Sequence, residues 1–316
     1  MSESYKVRFP ISPEIQAFVD TNRQFAATGT SISERRAAFL KSCRHFTPPL
    51  PHGWMVEDSR LGELCLRTYK PTSAPPQAGW PVLLYLHGGG WDQGDLDTHD
   101  WFAHAIAERL GIAVVAVAYR LAPEHPFPAP LDDALLVWTA LQAGQISSAL
   151  SCDQIVVCGD SAGGSIAAGL CVALRDKGEK QPCGQALVYP VLTTKTVDPS
   201  ATRYRDAPLL STEGLAGSIA RYLPKSDHHE NSWAMPLMAE SFDSLAPAFI
   251  GVAEFDILRD EGIQYAECLR AAGTNANVYI GKGLIHGSLR ARGAAQVEAF
   301  YDQLAAAISE FVIPKE

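Results

Sequence analysis

Six short apolar runs, most of them separated by segments of helical spacing, constrain this chain more than any other feature. They are VLLYLHG (82–88), AVVAVAYR (113–120), QIVVCGD (154–160), QALVYPV (185–191), AFIGVAEFD (248–256) and NVYIGKG (277–283). Short apolar runs bounded by turn residues, without strict polar alternation, are the pattern of strands covered on both faces. THDWFAHAIAERLG, PLDDALLVWTALQAG and EGIQYAECLRAAG lie between such runs, and AAQVEAFYDQLAAAISEF follows the last; all repeat apolar residues at three and four. Strand, helix, strand in succession makes successive strands parallel, with helices packed on the sheet faces. The predicted fold class is α/β, an open and mostly parallel sheet flanked by helices.

Two regions depart from that rhythm. WMVEDS and ELCLRTYKP, at about 54–70, alternate in polarity around a tight turn at Leu61 and Gly62, which predicts an antiparallel hairpin at one edge. Residues 193–246 interrupt the repeat with TEGLAGSIARYL and SDHHENSWAMPL, polar and helical material of the kind that forms a lid. Before the repeat, SPEIQAFVDTNRQFAAT and SISERRAAFLKSC read as two amphipathic helices, with Ser12 and either Ser31 or Ser33 as N-caps. The expected organisation is one domain over 1–316, capped by about 1–45 and 193–246.

Composition excludes several classes. With 47% hydrophobic and 19% charged residues, the chain can bury a large core and is not disordered. Its 35 acidic and 26 basic residues give a net charge of −9 without a basic stripe, which argues against nucleic acid or an anionic membrane as partner. No stretch reaches the roughly 20 apolar residues of a membrane span, and the opening residues do not resemble a signal peptide, so a soluble cytoplasmic protein is expected. Seven cysteines, an odd number with no C-x-x-C pair, suggest reduced core thiols rather than a disulfide framework or a zinc site.

The strongest chemical signal is CGDSAGGS at 158–165. Its G-x-S-x-G, formed by Gly159, Ser161 and Gly163, follows an apolar strand and opens a helical run, the setting of a nucleophile elbow. A serine hydroxyl needs a base, and in α/β-hydrolases the acid and the histidine follow the serine on loops after late strands. Asp256 ends AFIGVAEFD and His286 follows NVYIGKGLI, both at carboxyl ends of strands where ligand-facing loops belong. Glu254 falls within its strand and Asp260 within the next helix, where a first-turn or capping role suits it. His99, His104, His125, His228 and His229 follow no late strand, so packing or solvated roles are expected of them.

Taken together, HGGGW, GDLDTHD, YRLAPEHPFPAPLDD, GDSAGG, EFDILRDEG and IHG, in order over about 80–290, resemble the hormone-sensitive lipase family of α/β-hydrolases, in its bacterial esterase branch. The resemblance implies a sheet of about eight strands and a triad of Ser161, Asp256 and His286. It also implies an oxyanion hole from the amides of Gly89, Gly90 and Ala162, with Gly88 serving the turn and His87 structural. No metal or other cofactor is implied. The expected substrates are small-molecule esters with short or medium acyl chains, because the insertion lacks the greasy helix of a lipase that works at an oil surface. Members of that family often pair through the edge strand or the last helices, so a homodimer is compatible with the resemblance, although no residue here argues for one.

Two positions differ from the branch's usual motifs. Gly-Phe usually follows the histidine where this chain has Gly287-Ser288, and Asn often follows GDSAGG where it has Ser165. The missing ring predicts a pocket wall that is more open or filled by Trp91 or Leu289, with Ser288 beside it. HGGGW also resembles the loop of arylformamidases, which leaves an amidase as the alternative enzyme. A hydrolase-fold binding protein, of the kind the gibberellin receptor represents, is the alternative outside enzymes; that receptor lacks the histidine that His286 supplies here.

Overall fold

Leu84 pairs with Val115 on one side and Val157 on the other, and none of the three exposes any surface. Central strands of this composition have no wet face, which is why their sequences do not alternate. The computed structural model describes residues 9–195 and 198–312. Its eight strands are β1 (Trp54–Leu61), β2 (Leu64–Pro71), β3 (Trp80–Leu86), β4 (Ala113–Val117), β5 (Leu150–Asp160), β6 (Gly184–Val188), β7 (Ala248–Phe255) and β8 (Ala276–Ile285). They form one sheet in the order β1-β2-β4-β3-β5-β6-β7-β8. β2 is antiparallel to β1 and β4, and the remaining neighbours are parallel. The predicted hairpin is present: Leu61 faces Leu64 across a two-residue turn that Gly62 opens at a φ of +61°.

The helices are α1 (Pro13–Arg23), α2 (Ile32–Phe46), α3 (Asp100–Ala107), α4 (Ala129–Gln142), α5 (Ala162–Asp176), α6 (Pro199–Arg203), α7 (Thr212–Tyr222), α8 (Arg259–Ala271) and α9 (Ala295–Val312). Ser12 caps α1, and Ser31 rather than Ser33 caps α2 through a reciprocal box with Glu34. α5 is buried from Ala162 to Leu174 and packs on β3, β5 and β6. Its small residues permit the close approach, since a Cβ on Gly169 would stand 2.1 Å from the Trp233 carbonyl oxygen. The insertion contributes α6 and α7, while SDHHENSWAMPL forms only short 3-10 turns at Ser226–Glu230 and Pro236–Met238. Asp260, expected as a first-turn or capping acid, lies in the first turn of α8 and also caps the neighbouring α6 by accepting from the Ser200 amide at 2.8 Å. Among the described residues no helix is long and apolar enough to cross a membrane.

Candidate active site

Ser161 follows β5 directly and α5 begins at the next residue, so the chain reverses within one position. Its φ of 54° and ψ of −119° are rare for an L-residue and persist only where the surroundings impose them. Backbone contact imposes them here. A Cβ on Gly159 would stand 2.3 Å from the Gly163 carbonyl carbon, and one on Gly163 would stand 1.9 Å from the Leu86 carbonyl oxygen. The Ser161 amide also donates to Val188 O at 2.8 Å, tying the turn to β6.

β7 and β8 bring two further side chains to the same sheet edge. Asp256 follows β7 and is buried; His286 follows β8 and is nearly so. His286 Nε2 lies 2.9 Å from Ser161 Oγ, and His286 Nδ1 lies 2.7 Å from Asp256 Oδ2. A carboxylate only accepts, so Nδ1 carries the proton and Nε2 is left as the acceptor for the serine hydroxyl. Asp256 Oδ1 accepts from the Leu258 amide at 3.0 Å, which fixes the carboxylate plane. The competing groups are engaged elsewhere: Glu254 accepts from the Gly283 amide at 2.7 Å, and His104 Nδ1 lies 2.8 Å from Pro48 O.

Facing Ser161 is the glycine loop after β3. Gly89 and Gly90 have φ values of +117° and +62°, so they make the turn expected of Gly88. Gly88 is required for a different reason, because a Cβ there would stand 2.5 Å from Asp160 Oδ2. Its amide donates to Asp160 Oδ1 at 2.8 Å, and the Tyr85 hydroxyl donates to the same oxygen at 2.6 Å. Among the described residues the amides of Gly89, Gly90 and Ala162 have no protein acceptor. Three backbone donors thus remain available beside the serine.

Asp160, which precedes Ser161 in the motif, joins the two halves of the site. Burial pushes its carboxyl pKa up, but the adjacent His99 together with the Tyr85 and Gly88 donors outweighs that and holds it at about 2. His99 was expected in a packing or solvated role on a helix. It occupies the N-cap of α3, buried, with Nε2 3.7 Å from Asp160 Oδ1. His87 stacks on Tyr119 at 4.2 Å and on His99 at 5.2 Å, and its Nδ1 lies 2.8 Å from Gly88 O.

Trp91 borders the cavity but exposes none of its surface; its ring stacks on Tyr222 of α7 at 4.4 Å and 2°. It holds the glycine loop against the insertion. The next residue, Asp92, carried no expectation. Fully buried, it pairs with Arg35 of α2 at 3.2 Å and with Arg221 of α7, so loop, N-terminal helix and insertion meet on one carboxylate. The cavity beside Ser161 and His286 has a volume of about 620 Å³ and is lined from both the N-terminal helices, as at Phe39, and the insertion, as at Leu209.

A family described as alpha/beta hydrolase fold matches residues 83–290. The chain belongs to the alpha/beta hydrolase fold family, in its hormone-sensitive-lipase-like esterase branch. It is 36% identical over 300 residues to the carboxylesterase NlhH of Mycobacterium tuberculosis, covering 91% of each chain. It is 35% identical over 228 residues to the ethyl acetate hydrolase of Pseudomonas putida, covering 72% of each. Among solved structures, a bacterial heroin esterase superposes with a TM-score of 0.86 at 29% identity, over 97% of this chain and 99% of that one.

In this α/β-hydrolase the two unusual serines have local explanations. Ser165, fully buried on α5, donates to Ala234 O at 2.9 Å and so binds the helix to the insertion. Ser288 and Leu289, expected as pocket wall, do not line the cavity. Gly287, at a φ of +69°, turns the chain into a 3-10 turn in which Ser288 Oγ donates back to Ile285 O at 2.7 Å and Leu289 enters the core. Arg290, at the end of that turn, reaches the cavity instead. Among the described residues no group of three or more His, Cys, Asp or Glu side chains is arranged to hold a metal ion.

Proposed function

We propose that this carboxylic ester hydrolase acts on short- to medium-chain acyl esters through an acyl-enzyme formed on Ser161. The observation that carries the reading is the unbroken hydrogen-bond chain from Asp256 through His286 to Ser161, ending in a cavity beside three amides without acceptors. In it, Ser161 Oγ attacks the ester carbonyl as His286 Nε2 takes its proton. The carbonyl oxygen gains charge and is met by the amides of Gly89, Gly90 and Ala162, donors that need no reorganisation as the charge develops. His286 then protonates the leaving alcohol, and Asp256 stabilises the imidazolium that exists in between. A water, deprotonated by the same imidazole, attacks the acyl-enzyme and returns Ser161 and the free acid.

Residues 1–45 and 193–246 act as a cap in this reading, supported by the cavity lining that both contribute; 1–8 and 196–197 lie outside the described residues. A cavity of about 620 Å³ suits a small molecule better than a long acyl chain. Seven cysteines without a disulfide suit a reducing, cytoplasmic setting.

Replacing Ser161 by Ala is expected to lower turnover about a million-fold, with the melting temperature nearly unchanged. A variant that keeps a tenth of the activity overturns the assignment. A series of aryl esters from acetyl to palmitoyl, run beside an aryl formamide, tests the substrate class. The highest kcat/KM is expected at the short end, and a maximum at palmitoyl or on the formamide overturns it.

A further inference from the structure

The cavity beside Ser161 is cationic in a chain whose net charge is −9. Among the described residues its lining carries three arginines, Arg23, Arg35 and Arg290, and a single carboxylate, Asp160. Asp160 is engaged by the Gly88 amide and the Tyr85 hydroxyl. Arg35 is paired with Asp92 at 3.2 Å, and Arg23 with Asp20 at 3.1 Å. Arg290 differs from both. It is only 8% exposed, yet it takes part in no ion pair among the described residues.

Its contacts hold the guanidinium without neutralising it. Nη1 donates to Ser42 Oγ at 3.1 Å and to Cys43 Sγ at 3.5 Å, and Nε reaches Gly287 O at 3.5 Å. The rings of Phe18 and Phe39 lie 5.3 and 5.7 Å from the guanidinium carbon. Nη2 has no hydrogen-bond partner among the described residues. Its place is known from its neighbours: a methyl group on Gly287, the residue after His286, would stand 3.7 Å from Nη2 and 3.8 Å from Leu209 Cδ1. Nη2 therefore borders the gap between the His286 loop and the insertion. A buried charge without a counter-charge is costly, and an anion arriving with a ligand would remove that cost. Arginine donors match carboxylate oxygens in charge and geometry.

We propose that Arg290 is a specificity-determining residue that receives a carboxylate carried by the substrate, so that the preferred esters are anionic. The proposal rests on the ester-hydrolase reading of Ser161. A neutral substrate would leave the guanidinium unpaired, and sites built to pair a polar group discriminate against analogues that lack it.

Two matched pairs test this, read as acid release in a pH-stat: 2-acetoxypropanoate beside 2-acetoxypropanamide, with the charge on the alcohol side, and monoethyl succinate beside ethyl succinamate, with the charge on the acyl side. In the unmodified protein at least one carboxylate is expected to exceed its amide twin by roughly tenfold in kcat/KM, chiefly through KM, the ratio one charge-assisted hydrogen bond supplies. Arg290→Met is expected to bring that ratio close to one and Arg290→Lys to keep part of it. The pair that responds identifies the side of the ester that Arg290 reads. Ratios near one in both pairs of the unmodified protein overturn the proposal, as does a ratio that survives in Arg290→Met. A purely structural role would slow both members of a pair alike and leave the ratio standing. Should Arg290→Met fail to fold, the unmodified protein and Arg290→Lys decide. Hydrolysis of the amide twins without preference defeats the proposal alone; no hydrolysis of any ester defeats the Ser161 reading and this one together.

Discussion

Gly163 and Asp160 flank the Ser161 turn and fail in different ways when changed. A methyl group on Gly163 meets the Leu86 and His87 carbonyl oxygens at 1.9 and 2.6 Å, both backbone atoms that cannot swing aside. Gly163→Ala is therefore expected to lose about 3 kcal/mol or more of stability, measured by urea unfolding, or to yield no folded protein. Wild-type stability in that variant would show that α5 does not depend on so close an approach. Asp160→Ala removes the acceptor of the Gly88 amide and the Tyr85 hydroxyl, so the glycine loop loses its anchor to the Ser161 turn. Turnover is expected to fall on the order of a hundredfold, as a small misplacement of catalytic groups costs, and an unchanged kcat on a short aryl ester would refute the anchoring role. Ser161, Asp256 and His286 could be picked out because each closely follows an apolar run, a cue written within its own segment. Asp160 and His99 were not, because the partners that define them lie far off in the chain: Gly88 is 72 residues from Asp160, and no spacing rule connects the two.

Most elements were legible too, since strand runs and helical spacing are written within single segments. How α2 and α7 come together was not. They meet at Asp92, buried between Arg35 and Arg221 on one side of a loop that also presents Trp91 to Tyr222. Breaking a buried ion pair by removing one partner costs on the order of 3 kcal/mol, because a charge is left uncompensated. Asp92→Asn should therefore loosen both helices together. Amide exchange within 32–46 and 212–222 is expected to quicken while the central strands keep their protection. Acceleration confined to one helix would mean that Asp92 does not link them.

The molecule as a whole should weaken in mild acid, and His87 accounts for the first part of the decline. Burial, with His99 adding to it, pushes its imidazole down from the ordinary 6.5 to about 3, and among the described residues its Nε2 has no partner. The folded state thus keeps His87 neutral where the unfolded chain binds a proton. Its contribution is complete above about pH 6.5 and declines as pH falls toward about 3, by at most about 1.4 kcal/mol per pH unit. Asp160 adds a second loss lower down, since its stabilisation is present above about 3.8 and disappears as pH falls through about 2. Urea unfolding of His87→Gln at about pH 7 and about pH 4.5 is expected to show a shallower fall than the unmodified protein; an identical fall would place the acid sensitivity elsewhere. The sequence by itself determined the α/β class, the edge hairpin and the turn that carries Ser161, because periodicity, turn chemistry and chain order are local. Only the tertiary structure decided that Gly88 is an anchor rather than a turn, that Trp91 borders the cavity while stacked on Tyr222, that Leu289 is packing rather than pocket wall, and that Arg290 reaches the cavity. Those roles depend on which surfaces meet across the sheet and the insertion, and long-range packing leaves no periodic trace in the segments it joins.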